Sequence, residues 1–314
     1  MKENKKISFV IPCYHSEKTL AGVVKEIDDT MAGLSSYVYE IVMVNDGSGK
    51  ETWEVIQTLC KEKTERFGID LARNFGQHAA LMAGIRHTTG NIVVCLDDDG
   101  QTPADEVGKL LDAIREGADV AYASYDHKEH SAFRNFGSWV NEKMLEKMLN
   151  KPHDLYVSSY FAMRRFVADE VLRYQNSYPY LLGLVLRTTK NIVNVPVHHR
   201  KREVGRSGYT LGKLLALWMN GFTAFSIKPL RIGTAIGAFC AALSFVYAIY
   251  TIAKKLVNPA VPVGFSALMT AIIFFGGMTM LMLGLAGEYI GRTYISVNSA
   301  PQYVIREETG KEEQ

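Results

Sequence analysis

The sequence predicts an α/β fold: a mostly parallel sheet with crossover helices, followed by interfacial helices and a hairpin of two long apolar helices. Three observations predict it. Over the first 125 residues, short apolar runs alternate with helical patterns, the mark of parallel strands joined by helical crossovers. Polar turns follow those runs, on the sheet edge where such folds bind ligands. From 232 to 287, 56 residues carry only two charges, Lys254 and Lys255.

The elements follow in order. The runs 7–11, 40–44, 68–71, 92–96 and 120–123 read as strands. Between them, 18–31, 51–63, 77–87 and 103–116 repeat apolar residues at helical spacing, and Thr102 before Pro103 reads as a cap followed by a first-turn proline. Residues 134–197 are mixed, with a helix near 135–149, an aromatic strand near 155–163 and a strand over 192–197. Segment 210–226 has Lys213 near its start and carries Trp218, Phe222 and Phe225, which suits a helix lying in a membrane interface; a core helix is the alternative. The uncharged stretches 232–253 and 265–287 hold 22 and 23 residues. Each is long enough to cross a hydrocarbon core of about 30 Å, with buried core helices as the alternative. Asn258, Pro259 and Pro262 make their connection a tight hairpin. The expected organisation is a domain over 1–200, a basic juxtamembrane segment over 201–231, a transmembrane hairpin over 232–287 and a tail over 288–314.

The chain has 314 residues, 47% hydrophobic and 22% charged, with a net charge of +2. That composition excludes disorder and collagen-like repeats. Charge is unevenly placed. Residues 1–186 hold 21 basic against 27 acidic residues, whereas 187–231 hold nine basic residues against Glu203 alone. A basic stretch just before an apolar block suits anionic lipid better than nucleic acid, since nothing else points to nucleic acid. Two crossings put both ends on one side, and the basic stretch with Arg292 makes that side cytoplasmic, against the two loop lysines. Cys13, Cys60, Cys95 and Cys240 lack metal-ligand spacing and read as reduced packing residues. The polar start, with Pro12 breaking the first apolar run, reads as no signal peptide.

The strongest motif is Asp97-Asp98-Asp99-Gly100-Gln101, directly after an apolar strand. Three adjacent carboxylates repel one another unless a cation is present, and a hard divalent ion shared with substrate phosphates is the expected use. An acidic loop that merely caps the next helix is the bland alternative. Pro12-Cys13-Tyr14-His15-Ser16-Glu17 ends the first strand, and Asn45-Asp46-Gly47-Ser48 ends the second. Singly these are ordinary turns. On one edge with the Asp triplet they read as a ligand cradle, with Tyr14 placed to stack on a base and Asp46 to accept from a base or ribose.

These motifs resemble family 2 inverting glycosyltransferases of the GT-A fold. Ala72-Arg73-Asn74-Phe75-Gly76 and Ala80-Leu81-Met82-Ala83-Gly84 are similar to their polyprenyl-phosphate branch, which includes dolichol-phosphate mannose synthases, bactoprenol glucosyltransferases and undecaprenyl-phosphate aminoarabinose transferases. Gly287-Glu288-Tyr289-Ile290-Gly291-Arg292 resembles the bacterial members with a helical hairpin. The resemblance implies Asp97, Asp99 and Gln101 as ligands of Mg2+ or Mn2+, with Asp98 beside them in the catalytic cluster. It implies Pro12, Tyr14, Glu17, Asn45, Asp46, Arg73, Asp97 and Asp98 as the nucleotide-sugar cradle. Arg134, Ser138, Arg202, Arg206 and Ser207 would hold phosphates of acceptor and donor, Arg134 and Arg202 as catalytic residues. Asn45 departs from a common Asp, Tyr125 from a common Arg, and Ser158-Ser159-Tyr160 from Gly-Asp-Phe, so a proposed catalytic Asp is missing and Asp154 is the nearest carboxylate.

The implied reaction moves a sugar from a nucleoside diphosphate, uridine-linked by resemblance, to polyprenyl (undecaprenyl) phosphate, with inversion. The implied location is the cytoplasmic face of a bacterial inner membrane, with the protein a multi-pass one. Membrane lipids are the further partner, nucleic acid is not, and a homo-oligomer is compatible with the sequence but not dictated by it. Two alternatives stay open. One is a transferase to a hydroxyl acceptor, which needs a general base. The other is a non-catalytic lipid-binding membrane subunit, against which the intact Asp triplet argues.

Overall fold

A computed structural model describes residues 5–125, 146, 151–177, 179–198, 228–257, 264–298 and 301–310. Strand β1 (Lys5–Cys13) pairs in parallel with β2 (Tyr37–Asn45) on one side and β4 (Ile92–Cys95) on the other. Its residues from Ile7 to Cys13 are all buried, because helices cover both faces of a parallel sheet. Strand β3 (Arg66–Leu71) extends the parallel set beyond β2. On the other side lie β5 (Val120–Tyr125), β6 (Phe161–Arg164) and β7 (Ile192–Val197), with β6 antiparallel between β4 and β5. The strand order is β7-β5-β6-β4-β1-β2-β3-β8.

The helices α1 (Leu20–Gly33), α2 (Lys50–Glu62), α3 (Gln77–Arg86) and α4 (Val107–Arg115) connect the parallel strands. Each buries one apolar stripe, as Leu20, Val23, Val24, Ile27 and Met31 show on α1. Two short helices, α5 (Arg165–Leu172) and α6 (Leu181–Thr188), follow β6.

Three local readings need correction. The strand near 155–163 is four residues long and starts only at Phe161; before it the chain is a loop, in which Ser158 Oγ bonds the carbonyls of Ala123 and Tyr160. Thr102 caps no helix. A 3₁₀ turn (Ala104–Glu106) precedes α4 without a side-chain cap, and the buried Thr102 hydroxyl bonds Tyr125 instead. Residues 288–314 are more than a tail, since they finish a long helix and include β8 (Ile305–Thr309), antiparallel on β3. All but residue 146 of the helix read near 135–149, and the whole interfacial helix over 210–226, lie outside the described residues.

The described residues of Met1–Leu211 with Ser299–Gln314 form one unit, and those of Gly212–Asn298 a second. The second unit holds α7 (Lys228–Val257) and α8 (Phe265–Val297), of 30 and 33 residues. Among the described residues no helix is long and apolar enough to cross a membrane. Large apolar side chains are nevertheless exposed along both helices, with Phe239 at 70% and Met280 at 71%.

One polar cluster ties α1 to the sheet. Asp28 accepts from Tyr39 Oη at 2.7 Å and from Lys63 Nζ and Arg66 Nη2 at 2.6 Å each. Arg66 is buried and also bonds Glu62. Burial pushes the Asp28 carboxyl up, but these donors outweigh it and hold it below the usual range. Asp28→Asn is expected to cost about 2–3 kcal/mol at pH 7, because it leaves the buried guanidinium short of charge. A depressed folded value means that this contribution is present above about pH 4 and is lost as pH falls through the folded value. Thermal melts should therefore separate wild type from variant at neutral pH and converge in acid.

Candidate active site

The site lies at the carboxyl ends of β1, β2 and β4. β4 ends at Cys95, so Asp97, Asp98 and Asp99 leave the sheet edge directly. Asp98 turns toward β1, where its Oδ2 accepts the Tyr14 backbone N–H at 3.0 Å. That bond anchors the β1 turn, and it leaves the Tyr14 ring 53% exposed at the edge. His15 beside it takes a left-handed φ of 55°, uncommon for a residue with a Cβ, and its ring meets Tyr14 edge-on at 4.4 Å.

Asp97 is held by both oxygens. Gln77 Nε2, from the first turn of α3, donates to Oδ1 at 2.8 Å, and Ser159 Oγ donates to Oδ2. Asp97 is only half-exposed, and desolvation by the surrounding protein is the largest influence on it. Desolvation, with the charges of Asp99 and Asp98, outweighs the two bonds and pushes its carboxyl up to about 6. Asp99 Oδ1 accepts the Gln101 backbone N–H at 3.0 Å. A carboxyl raised in part by its neighbours' charges fits a cation, because a positive charge beside Asp97 relieves the repulsion that now disfavours its ionisation. Among the described residues no three His, Cys, Asp or Glu side chains form a ready-made cage. Such an ion would therefore take further oxygens from substrate phosphates and water, as Mg2+ does.

The turn after β2 is fastened through its acidic residue. Asp46 is buried, with Oδ1 taking the Phe75 N–H at 2.7 Å and Oδ2 the Gly76 N–H at 2.9 Å. Burial raises its carboxyl, and the two N–H bonds pull the other way. Asp46 thus latches the β2 turn to the turn after β3. The two turns touch so closely that a Cβ on Gly47 (φ 63°) would lie 2.3 Å from the Arg73 carbonyl carbon. Asn45 is buried and turns inward to Asp70 and Ser48.

The other expected residues sort as follows. Arg73 is exposed, its guanidinium stacked over Phe75 at 4.3 Å from the ring centroid. Glu17 accepts from Thr52 on α2 at 3.2 Å, and Pro12 lies buried within β1 opposite Val44. Arg134, Ser138, Arg202, Arg206 and Ser207 lie outside the described residues. Asp154 is exposed, and the residue of its loop that reaches Asp97 is Ser159. Sequence reasoning missed Gln77 and Ser159 as partners of Asp97. The only signal for Ser159 was its place in the tripeptide that departs from Gly-Asp-Phe.

The fold recurs in known proteins. Among solved structures, glucosyl-3-phosphoglycerate synthase of Mycobacterium tuberculosis, in complex with Mn2+ and uridine-diphosphate-glucose, superposes with a TM-score of 0.55. That match covers 72% of this chain and 80% of the other at 19% identity, a likeness of fold. The undecaprenyl-phosphate 4-deoxy-4-formamido-L-arabinose transferase of Yersinia pestis is 31% identical over 314 residues, covering 98% of this chain and 95% of that one. The Yersinia enterocolitica protein of the same name is 31% identical over 312 residues. Residues 228–293 match the GtrB C-terminal hairpin, over α7 and most of α8. Residues 8–172, from β1 to α5, match glycosyl transferase family 2. The match takes in the Asp triplet, the latched turns and the Ser159 contact together, and the chain belongs to that family.

Proposed function

We propose that this enzyme transfers a sugar from a nucleoside diphosphate, uridine-linked, to undecaprenyl phosphate at the cytoplasmic membrane face, with inversion at the anomeric carbon. The observation that carries the reading is one chain joining the Asp97–Asp99 edge to an exposed apolar helical pair, with full-length likeness to undecaprenyl-phosphate transferases.

The step needs little from a base. A phosphate monoester has a second pKa of about 6, so the acceptor oxygen arrives largely anionic at neutral pH. That oxygen forms a bond to the anomeric carbon as the bond from carbon to the donor diphosphate breaks, and the diphosphate leaves with the electron pair. Asp97, Asp99 and Gln101 would hold Mg2+ or Mn2+, which when bound neutralises the departing diphosphate. Tyr14 offers a face for the base, and Asp98 and Asp46 fix the turns that shape its cradle. Arg73, Arg134, Arg202 and Arg206 supply cations for the two phosphate groups, with Ser138 and Ser207 as hydroxyl donors. Ser159 replaces a carboxylate at Asp97, which spares that edge a fourth negative charge.

The hairpin reading rests on three features. The stretches 232–253 and 265–287 are uncharged, and some of their side chains fall outside the described set. The described ones expose Phe239, Leu243, Leu281 and their neighbours, a surface too apolar for water. The chain leaves the sheet unit before α7 and rejoins it after α8, which requires an even number of crossings. Introduced cysteines near residues 205 and 308 should label only from the cytoplasmic side of sealed vesicles, and one in 258–262 only from the other. The reverse pattern would sink a cytoplasmic donor site.

The function itself is tested by incubating the full chain with labelled nucleotide sugars and undecaprenyl phosphate. Label should pass to the lipid phosphate from at least one donor, and 4-deoxy-4-formamido-L-arabinose belongs in that screen. Label passing only to a hydroxyl acceptor, or lipid binding without transfer, would replace this reading.

A further inference from the structure

We infer that Arg306, on the last strand, is a positioning residue for the donor-binding turn after β2, acting through Asp70 and Asn45. The inference rests on the donor-site reading above. β8 covers the β3 edge, which would otherwise present unpaired backbone. Its register slips there: Asp70 faces Glu307 while Leu71 faces Ile305, so Arg306 is the extra residue of a bulge. Bulges re-aim side chains, and this one aims Arg306 along the end of β3. Its Nη1 donates to Asp70 Oδ2 at 3.2 Å and its Nη2 to the Ala72 carbonyl at 2.5 Å.

Asp70 is 3% exposed, so both its oxygens need donors. The second oxygen accepts Asn45 Nδ2 at 2.7 Å, across the parallel β2–β3 pair. With Nδ2 so committed, Asn45 Oδ1 is set toward Ser48, accepting its N–H at 3.3 Å and its Oγ at 2.5 Å. Asn45 Nδ2 also reaches the Gly49 carbonyl at 3.4 Å. The Asn45 amide is thus a second fastening of the turn that carries Asp46, beside the Asp46 latch itself, and the orientation of that amide is set by Asp70.

The strand itself has other fastenings. Glu307 accepts from Trp53 Nε1 at 3.2 Å and Gln57 Nε2 at 3.1 Å, and Glu308 pairs with His87 at 2.9 Å. Removing the Arg306 side chain should thus leave β8 in place and disturb the turn. The chain that returns from the apolar helices would in this way complete the donor site.

The test uses the full-length enzyme with Arg306→Ala and Arg306→Lys. Arg306→Ala should raise the donor KM about fivefold to tenfold, with kcat and the acceptor KM within about twofold. Arg306→Lys should recover part of this, restoring a cation to Asp70 but not the second bond to Ala72. Amide exchange over 46–49 should quicken about tenfold in Arg306→Ala, with 7–11 unchanged. Unchanged exchange at 46–49 overturns the inference, as does a joint loss of kcat, both KM values and protection at 7–11. If wild type takes no nucleotide sugar while the exchange result holds, the donor reading falls and the positioning chain stands.

Discussion

Asp99→Asn is expected to lower sugar transfer by at least about 10³-fold, the scale on which removing a charge-stabilising group from a transition state is felt. Asp99 stands half-exposed at the edge, and its Oδ1 accepts the Gln101 backbone N–H. Asparagine keeps the side chain's shape and one acceptor oxygen, so the fold should stay intact. Asp97 differs, since it is braced by Gln77 and Ser159 and its loss disturbs three elements. The useful comparison is with chelated wild type: the two should be equally inactive, and Mn2+ or Mg2+ should restore only wild type. Circular dichroism melting checks that the variant is folded. Near-normal turnover in Asp99→Asn would reduce the triplet to a loop that caps the following turn.

Asp46→Ala should be the next most damaging change at this edge. It strips the Phe75 and Gly76 N–H groups of a shared charged acceptor, at about 3 kcal/mol for the two bonds together, or roughly a 100-fold loss in donor kcat/KM. The loss should appear mainly in donor KM, since what fails is the register of the turns around the nucleotide. Asp46→Asn keeps one acceptor oxygen and should fall between the two. An alanine variant with the wild-type donor KM would mean that the contact of Gly47 with Arg73 and Asn74 holds the turns without the latch.

Much of the fold was legible because its signals are local. All five N-terminal strands were found within a few residues of their bounds, since a doubly covered strand reads as a continuous apolar run. The ligand-bearing edge followed from the topology. What failed locally was turn chemistry. Thr102 has the composition of a cap, yet Tyr125 claims its hydroxyl. Aromatic residues over 155–163 look like strand, yet antiparallel pairing with β4 and β5 begins only at Phe161.

The sequence alone determined the residue types at the site, an acidic triplet after an apolar run and polar turns after two others, together with two long uncharged stretches. Each is a property of a few neighbouring residues. Only tertiary structure decided which side chains those residues meet. Ser159 reaches Asp97 across 62 positions, and Arg306 reaches Asp70 across 236. Asn45 also bonds Asp70 on the neighbouring strand, and Asp46 also fastens its turn to the one after β3, bonds that the sequence does not show. A buried carboxylate or amide must find its donors wherever strand register brings them, and that register is set by the closure of the whole sheet.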